Sequence, residues 1–103
     1  MKAPLMSKYA IFVTIKVKPG TADKFRKLIV RNAQAARKNE PDCHAFFVST
    51  AENDPECFHF FEVYTNKTAL DAHRQYPHFL EYFAAAKDLM QERTVQGMDV
   101  VDG

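Results

Sequence analysis

The spacing of apolar and polar positions changes period several times along the chain, and each change marks an element. From Tyr9 to Val17 the run Tyr-Ala-Ile-Phe-Val-Thr-Ile-Lys-Val is β-branched and aromatic with no helical period, which predicts a strand. Lys18-Pro19-Gly20 stops it. Thr21 then stands as a helix N-cap, with Asp23 in the first turn, where the helix dipole favours an acid. Phe25, Leu28, Ile29, Ala33 and Ala36 follow at 3.6-residue spacing, with Lys24, Arg26, Lys27, Arg31 and Lys38 turned outward. The pattern predicts an amphipathic helix of roughly 16–18 residues, ended by Asn39-Glu40-Pro41.

Cys43 to Thr50 reads as a second strand and Cys57 to Thr65 as a third, joined through the turn cluster Asn53-Asp54-Pro55-Glu56 into a hairpin. Asn66 can cap a short helix running through His73. Pro77 suits the first position of another, with Phe79, Phe83, Ala86 and Met90 as its apolar stripe. Glu92 to Val101 closes the chain as a weaker strand carrying Thr94, Val95, Met98, Val100 and Val101. Gly97 inside it marks a bulge or a close backbone approach.

The order β-α-β-β-α-β, with the second helical region broken in two, is that of an α+β ferredoxin-like sandwich. Residues 1–8, with Pro4 among them, are expected as a flexible lead-in and residues 9–103 as one domain. Both faces of the hairpin are apolar. Phe46 and Val48 oppose Ala45 and Phe47, while Phe58 and Phe60 oppose Phe61 and Val63. A half-solvated antiparallel sheet should instead alternate apolar with polar residues, and the helices can cover one face only. A second copy of the sheet on the other face, in a homodimer, is the expected cover.

Composition narrows the function classes. A formal net charge of +1, with basic residues interleaved among acids and apolar positions, argues against nucleic-acid binding. The fold order is shared with RNA-recognition domains, but the third strand has neither the glycines nor the basic residue of their aromatic motif. No window approaches the roughly 18 apolar residues of a membrane helix, and Met1 to Lys8 has no signal-peptide pattern, so a cytoplasmic location is expected. Cys43 and Cys57 fall out of register across the hairpin and are expected as free thiols. Nine Phe and four Tyr, with no Trp, make an aromatic-rich interior available.

Candidate chemistry concentrates between Glu62 and Phe79. Glu62 and Tyr64 lie two apart on a strand and share a face with Phe58 and Phe60. A carboxylate among aromatics is either a structural group paired with backbone or a cation, or a pocket acid or base with a raised pKa. His73 falls at the end of the short helix, where the dipole alone can account for it, yet its titration near neutrality keeps it a catalytic candidate. His73 and His78 are five apart around Pro77, which matches no standard zinc spacing, so no metal site is expected. Glycine-rich phosphate loops and nucleophile motifs are absent, and no cofactor is expected.

Several of these residues together resemble the antibiotic biosynthesis monooxygenase family, which includes quinol monooxygenases. The resemblance runs over about Tyr9 to Val101. It rests on Lys18-Pro19-Gly20-x-x-Asp23, on Glu62 and Tyr64 at the end of the third strand, on Ala69 and His73, and on Pro77-His78-Phe79. It implies a dimeric α+β barrel acting on a small aromatic substrate. Family members include cofactor-independent oxygenases of phenols and quinols, haem-degrading enzymes, and an isomerase of a signalling sugar phosphate. The haem degraders use a Trp where this chain has Tyr64. A sugar phosphate would call for basic residues, for which Lys24 and Arg74 are the only nominees. The resemblance therefore points to a cofactor-independent monooxygenase that oxidises an electron-rich phenol or quinol with O2. An isomerase or a non-catalytic small-molecule-binding dimer of the same fold is the alternative. In the oxygenase, His73 would be the base, Glu62 its orienter or the alternative base, and Tyr64 a hydrogen-bond donor. Phe60, Phe79 and Phe83 would line the walls with His78 beside them.

Overall fold

The computed structural model describes residues 7–103. The elements run β1 (Tyr9–Val17), α1 (Ala22–Asn39), β2 (Cys43–Ala51), β3 (Asp54–Tyr64), α2 (Lys67–His73), α3 (Pro77–Ala86), a single 3-10 turn (Lys87–Leu89) and β4 (Met90–Asp99). The four strands form one antiparallel sheet in the order β2-β3-β1-β4. The chain is therefore α+β with a ferredoxin-like arrangement, as the hydrophobic periods predict. The lead-in expected over residues 1–8 lies, through residue 6, outside the described residues. Lys8 is tied down, since its carbonyl accepts the Val100 N–H at 3.0 Å. No helix among the described residues is long and apolar enough to cross a membrane.

Side-chain alternation divides the sheet into two faces. Ile11, Val13, Ile15 and Val17 of β1 and Phe58, Phe60, Glu62 and Tyr64 of β3 point to the helices and are all buried. α1 answers with Phe25, Ile29, Asn32, Ala33 and Ala36, one face at 3.6-residue spacing. Phe25 meets Phe58 edge-on, with ring centroids 4.8 Å apart. α3 adds Tyr82 and Ala86 to this layer, with Phe79 and Phe83 packed against it. On the opposite face Phe12, Phe47 and Phe61 remain exposed.

Local chemistry explains most element ends. Gly20 takes φ +83°, a left-handed turn that other residues resist. Thr21 occupies the N-cap of α1 but makes no capping bond, because its hydroxyl donates back to the Lys18 carbonyl at 2.7 Å. Pro41 disfavours helical backbone at the residue before it. Glu40 accordingly leaves α1 in an extended conformation, with φ −105° and ψ 108°. Asn66 caps α2 as expected: its Oδ1 accepts the Ala69 N–H at 2.8 Å. Pro77 opens α3.

Two expectations are corrected, and one left open between two readings is decided. The hairpin turn is Glu52-Asn53, and Asp54 and Pro55 already belong to β3. Asp54 is drawn into the strand by two bonds, its Oδ1 accepting the Glu56 N–H and its Oδ2 accepting from Lys16 Nζ. A register shift between Thr50 and Ala51 accommodates Pro55. Met90 lies outside the α3 stripe and begins β4 two residues before the expected Glu92. For Gly97 the close approach holds, not the bulge: a Cβ there would collide with the Tyr9 hydroxyl.

Candidate active site

The inner face of the sheet and the helices line a partly open pocket with a cavity of about 30 Å³, which widens to about 380 Å³ when the open solvent space at its mouth is included. Its walls are Ile11, Val13 and Ile15 from β1, Phe46 from β2, Phe60 from β3, and Phe79 and Phe83 from α3. The polar groups that reach it are Glu62, His73, Asn32, Tyr82, Arg74 and Arg93. A mostly apolar hollow with a few convergent polar groups is the usual form of a small-molecule site.

His73 closes α2, the helix that Asn66 caps, and is almost fully buried. Phe79 lies edge-on to its ring at 5.2 Å, and Phe46 stands edge-on at 5.9 Å. Its Nδ1 is 2.7 Å from Glu40 Oε2, and the same oxygen meets His78 Nε2 at 2.5 Å. A carboxylate only accepts, so each imidazole presents an N–H to it. That fixes the neutral His73 tautomer, leaving the lone pair on Nε2. Burial lowers the His73 pKa below its ordinary value, and the hydrogen bond that His73 donates to Glu40 opposes that fall.

Glu40 was not legible as a site residue. A glutamate at a helix C-terminus meets the unfavourable end of the dipole, and in sequence it reads only as a helix stop. The signal lies in Pro41, whose restriction on Glu40 turns the side chain out of the helical path toward α2 and α3.

Glu62, also buried, bonds elsewhere. Tyr64 Oη donates to its Oε1 at 2.6 Å. Burial raises the Glu62 carboxyl to about 7, against the pull of the Tyr64 hydrogen bond and of Arg74 and Arg93. The Tyr64 phenol is pushed far above its ordinary range, first by burial and then by the Glu62 charge. The expectation that Glu62 orients His73 is therefore corrected: Glu40 makes that bond. Tyr64 and His78 are also absent from the cavity wall. Tyr64 stands behind Glu62, and His78 stands behind Glu40 in a surface groove shared with Arg31, Glu81 and Tyr82. His73, Glu62, Phe60, Phe79 and Phe83 do meet in one cavity.

The donor atoms of Glu40, His73 and His78 lie within 4.8 Å of one another, a grouping the five-residue spacing of the histidines did not announce. Metal bonds of about 2.0–2.2 Å in a tetrahedral site keep neighbouring ligand atoms more than about 3 Å apart. The 2.7 and 2.5 Å separations are those of hydrogen bonds. Both cysteines are free, and burial raises the Cys43 thiol to about 11, which removes it as a nucleophile.

This geometry accompanies a clear kinship. Residues 8–85 match the sequence pattern of the family described as Antibiotic biosynthesis monooxygenase, and the chain belongs to that family. An uncharacterized protein of Synechocystis sp. is 37% identical over 76 residues, which make up 74% of this chain and 51% of that protein. The chain thus spans about half the length of that relative. A crystal structure from Caulobacter crescentus, assigned to the antibiotic biosynthesis monooxygenases, superposes with a TM-score of 0.88 at 22% identity, covering 98% of this chain and 96% of the other. Another so assigned, from Nitrosomonas europaea, gives 0.87 at 23% identity, covering 91% and 90%. At such identities these two likenesses establish the fold alone.

Proposed function

We propose that the protein is a cofactor-independent monooxygenase that oxidises a small electron-rich aromatic, a phenol or quinol, with O2. The observation that carries this reading is His73, held through Nδ1 by Glu40 with its other nitrogen unbonded, on the wall of an aromatic cavity. A phenol becomes a reductant strong enough to meet oxygen directly once it is deprotonated. The protein must then supply a dry hollow to hold the ring and a base to take its proton. Phe60, Phe79 and Phe83 provide the first and His73 Nε2 the second. The Glu40 carboxylate stabilises the imidazolium that forms. One oxygen atom enters the ring, as a quinone carbonyl from a phenol or as the hydroxyl of a hydroxyquinone from a quinol, and the other leaves as water, which accounts for all atoms and electrons without a further reductant. Glu62, with its carboxyl near neutrality, is the alternative base and the group able to return a proton.

The test is oxygen uptake by the purified protein across a panel of phenols and hydroquinones. His73→Ala is expected to lose roughly 10²–10⁴ in rate, the usual contribution of a general base. Glu40→Gln is expected to lose less and to move the acid limb of the pH–rate profile downward, because the imidazolium loses its counter-charge. Uptake that is unchanged in His73→Ala would remove the base assignment. No uptake with any compound would reject the oxygenase reading in favour of proton transfer without oxygen, or of binding alone.

A further inference from the structure

Asn32 sits on the apolar stripe of α1, between Ile29 and Ala33, with 2% of its surface exposed. Its Oδ1 is the one buried side-chain oxygen or nitrogen among the described residues without a hydrogen-bond partner. An unfilled buried acceptor destabilises a fold, so a polar residue on this stripe calls for a reason. The side chain lines the same cavity as His73 and Glu62. Opposite in character are two other lining residues. Arg74, the C-cap of α2, is half-buried, and Arg93 on β4 is exposed with its guanidinium 5.8 Å over the Phe83 ring. Neither makes a salt bridge among the described residues. The cavity therefore offers a buried acceptor, aromatic walls and two cations nearer its mouth.

We infer that this pocket recognises a hydroxylated aromatic acid, a hydroxyl of which, distinct from the one that His73 deprotonates, donates to Asn32 Oδ1 while its carboxylate meets Arg74 and Arg93. The ring lies between Phe60, Phe79 and Phe83. A phenol keeps its proton at neutral pH and is the donor that Oδ1 lacks. A planar carboxylate suits the fork of a guanidinium. This inference rests on taking the cavity as the substrate site, but it concerns recognition and not oxygen chemistry.

Calorimetric titration under argon separates the two. The probe is 4-hydroxybenzoate, compared with 4-methoxybenzoate, which has no hydroxyl donor, and with 4-hydroxybenzamide, which has no charge. The probe is expected to bind roughly tenfold or more tightly than either, as expected when one polar contact is lost in a buried site. Asn32→Leu should erase the advantage over the methoxy compound. Arg74→Gln with Arg93→Gln should erase the advantage over the amide. Asn32→Leu fills its site with a residue of similar volume, and its melting temperature should equal or exceed that of the parent. Equal affinity for all three compounds, no binding, or an unchanged preference in the variants would overturn the inference. Each of those results would leave the oxygen-uptake test standing on its own.

Discussion

Burial of Glu62 among aromatics has a thermodynamic consequence that can be measured apart from any activity. Its carboxyl rises from an ordinary 4.5 to about 7 in the folded chain. Between those values the native state holds a proton that the unfolded state has released, so the group's contribution to stability is complete below about 4.5 and is lost as pH passes 7. The difference corresponds to about 3 kcal/mol at most. His73, whose pKa is lowered by burial, runs in the opposite sense. It is common to the parent and a Glu62 variant, and so cancels between them. Glu62→Gln keeps an acceptor for Tyr64 and removes the titration. Urea unfolding at pH 5 and pH 8 should show the variant gaining on the parent by a few kcal/mol across that interval. Parallel pH profiles would mean that Glu62 titrates normally. Of the two acids that shape the site, this one is legible in the sequence, because strand alternation places it on the Phe58–Phe60 face. Glu40 is not, because its placement depends on how a helix ends and on where two later helices arrive.

α2 has only seven residues, far below the length at which a helix holds itself together in water. Packing of Leu70 and His73 and the Asn66 cap sustain it. Losing such a cap typically costs about 1 kcal/mol. In a domain of this size that is roughly 4–8 °C in melting temperature. Asn66→Ala should show that loss in a thermal scan, while Asn66→Asp, which retains the oxygen, should recover most of it. Equal melting for Asn66→Ala and the parent would show that packing alone holds α2. Elements whose ends are set by one residue's own chemistry were readable: Asn66 before α2, Pro77 at the start of α3, Pro41 after α1. Elements whose ends depend on distant partners were not. The start of β3 is moved forward by the Lys16–Asp54 contact with β1. β4 begins at Met90 because Met90 pairs with Val17 after the register shift in β1, which nothing local to Met90 reveals.

Across the whole molecule, the register sets three phenylalanines in line on the sheet face away from the helices: Phe47 opposite Phe61, and Phe61 opposite Phe12. They are 66%, 39% and 40% exposed. A second row, Ala45–Val63–Ala10–Met98, runs beside them, half-buried except at Ala10, which is buried. Contiguous apolar surface of this kind marks an interaction site. A self-complementary pairing about a twofold axis is the simplest way to cover it. The apolar pattern on both faces of the hairpin already predicted such a face, because period-two alternation reads directly from sequence. The expected outcome is a light-scattering mass of twice 11.8 kDa at micromolar concentration. Phe61 is the middle of the row, and Phe61→Glu would set two carboxylates against each other across the axis. Burying an unpaired charge costs several kcal/mol, enough to separate the copies. Because Phe61 points away from the core, the circular dichroism spectrum of the variant should match the parent's, which distinguishes dissociation from unfolding. A parent that scatters as a monomer would remove the dimer. A Phe61→Glu variant that remains dimeric would place the interface elsewhere and leave this row of rings to a different partner.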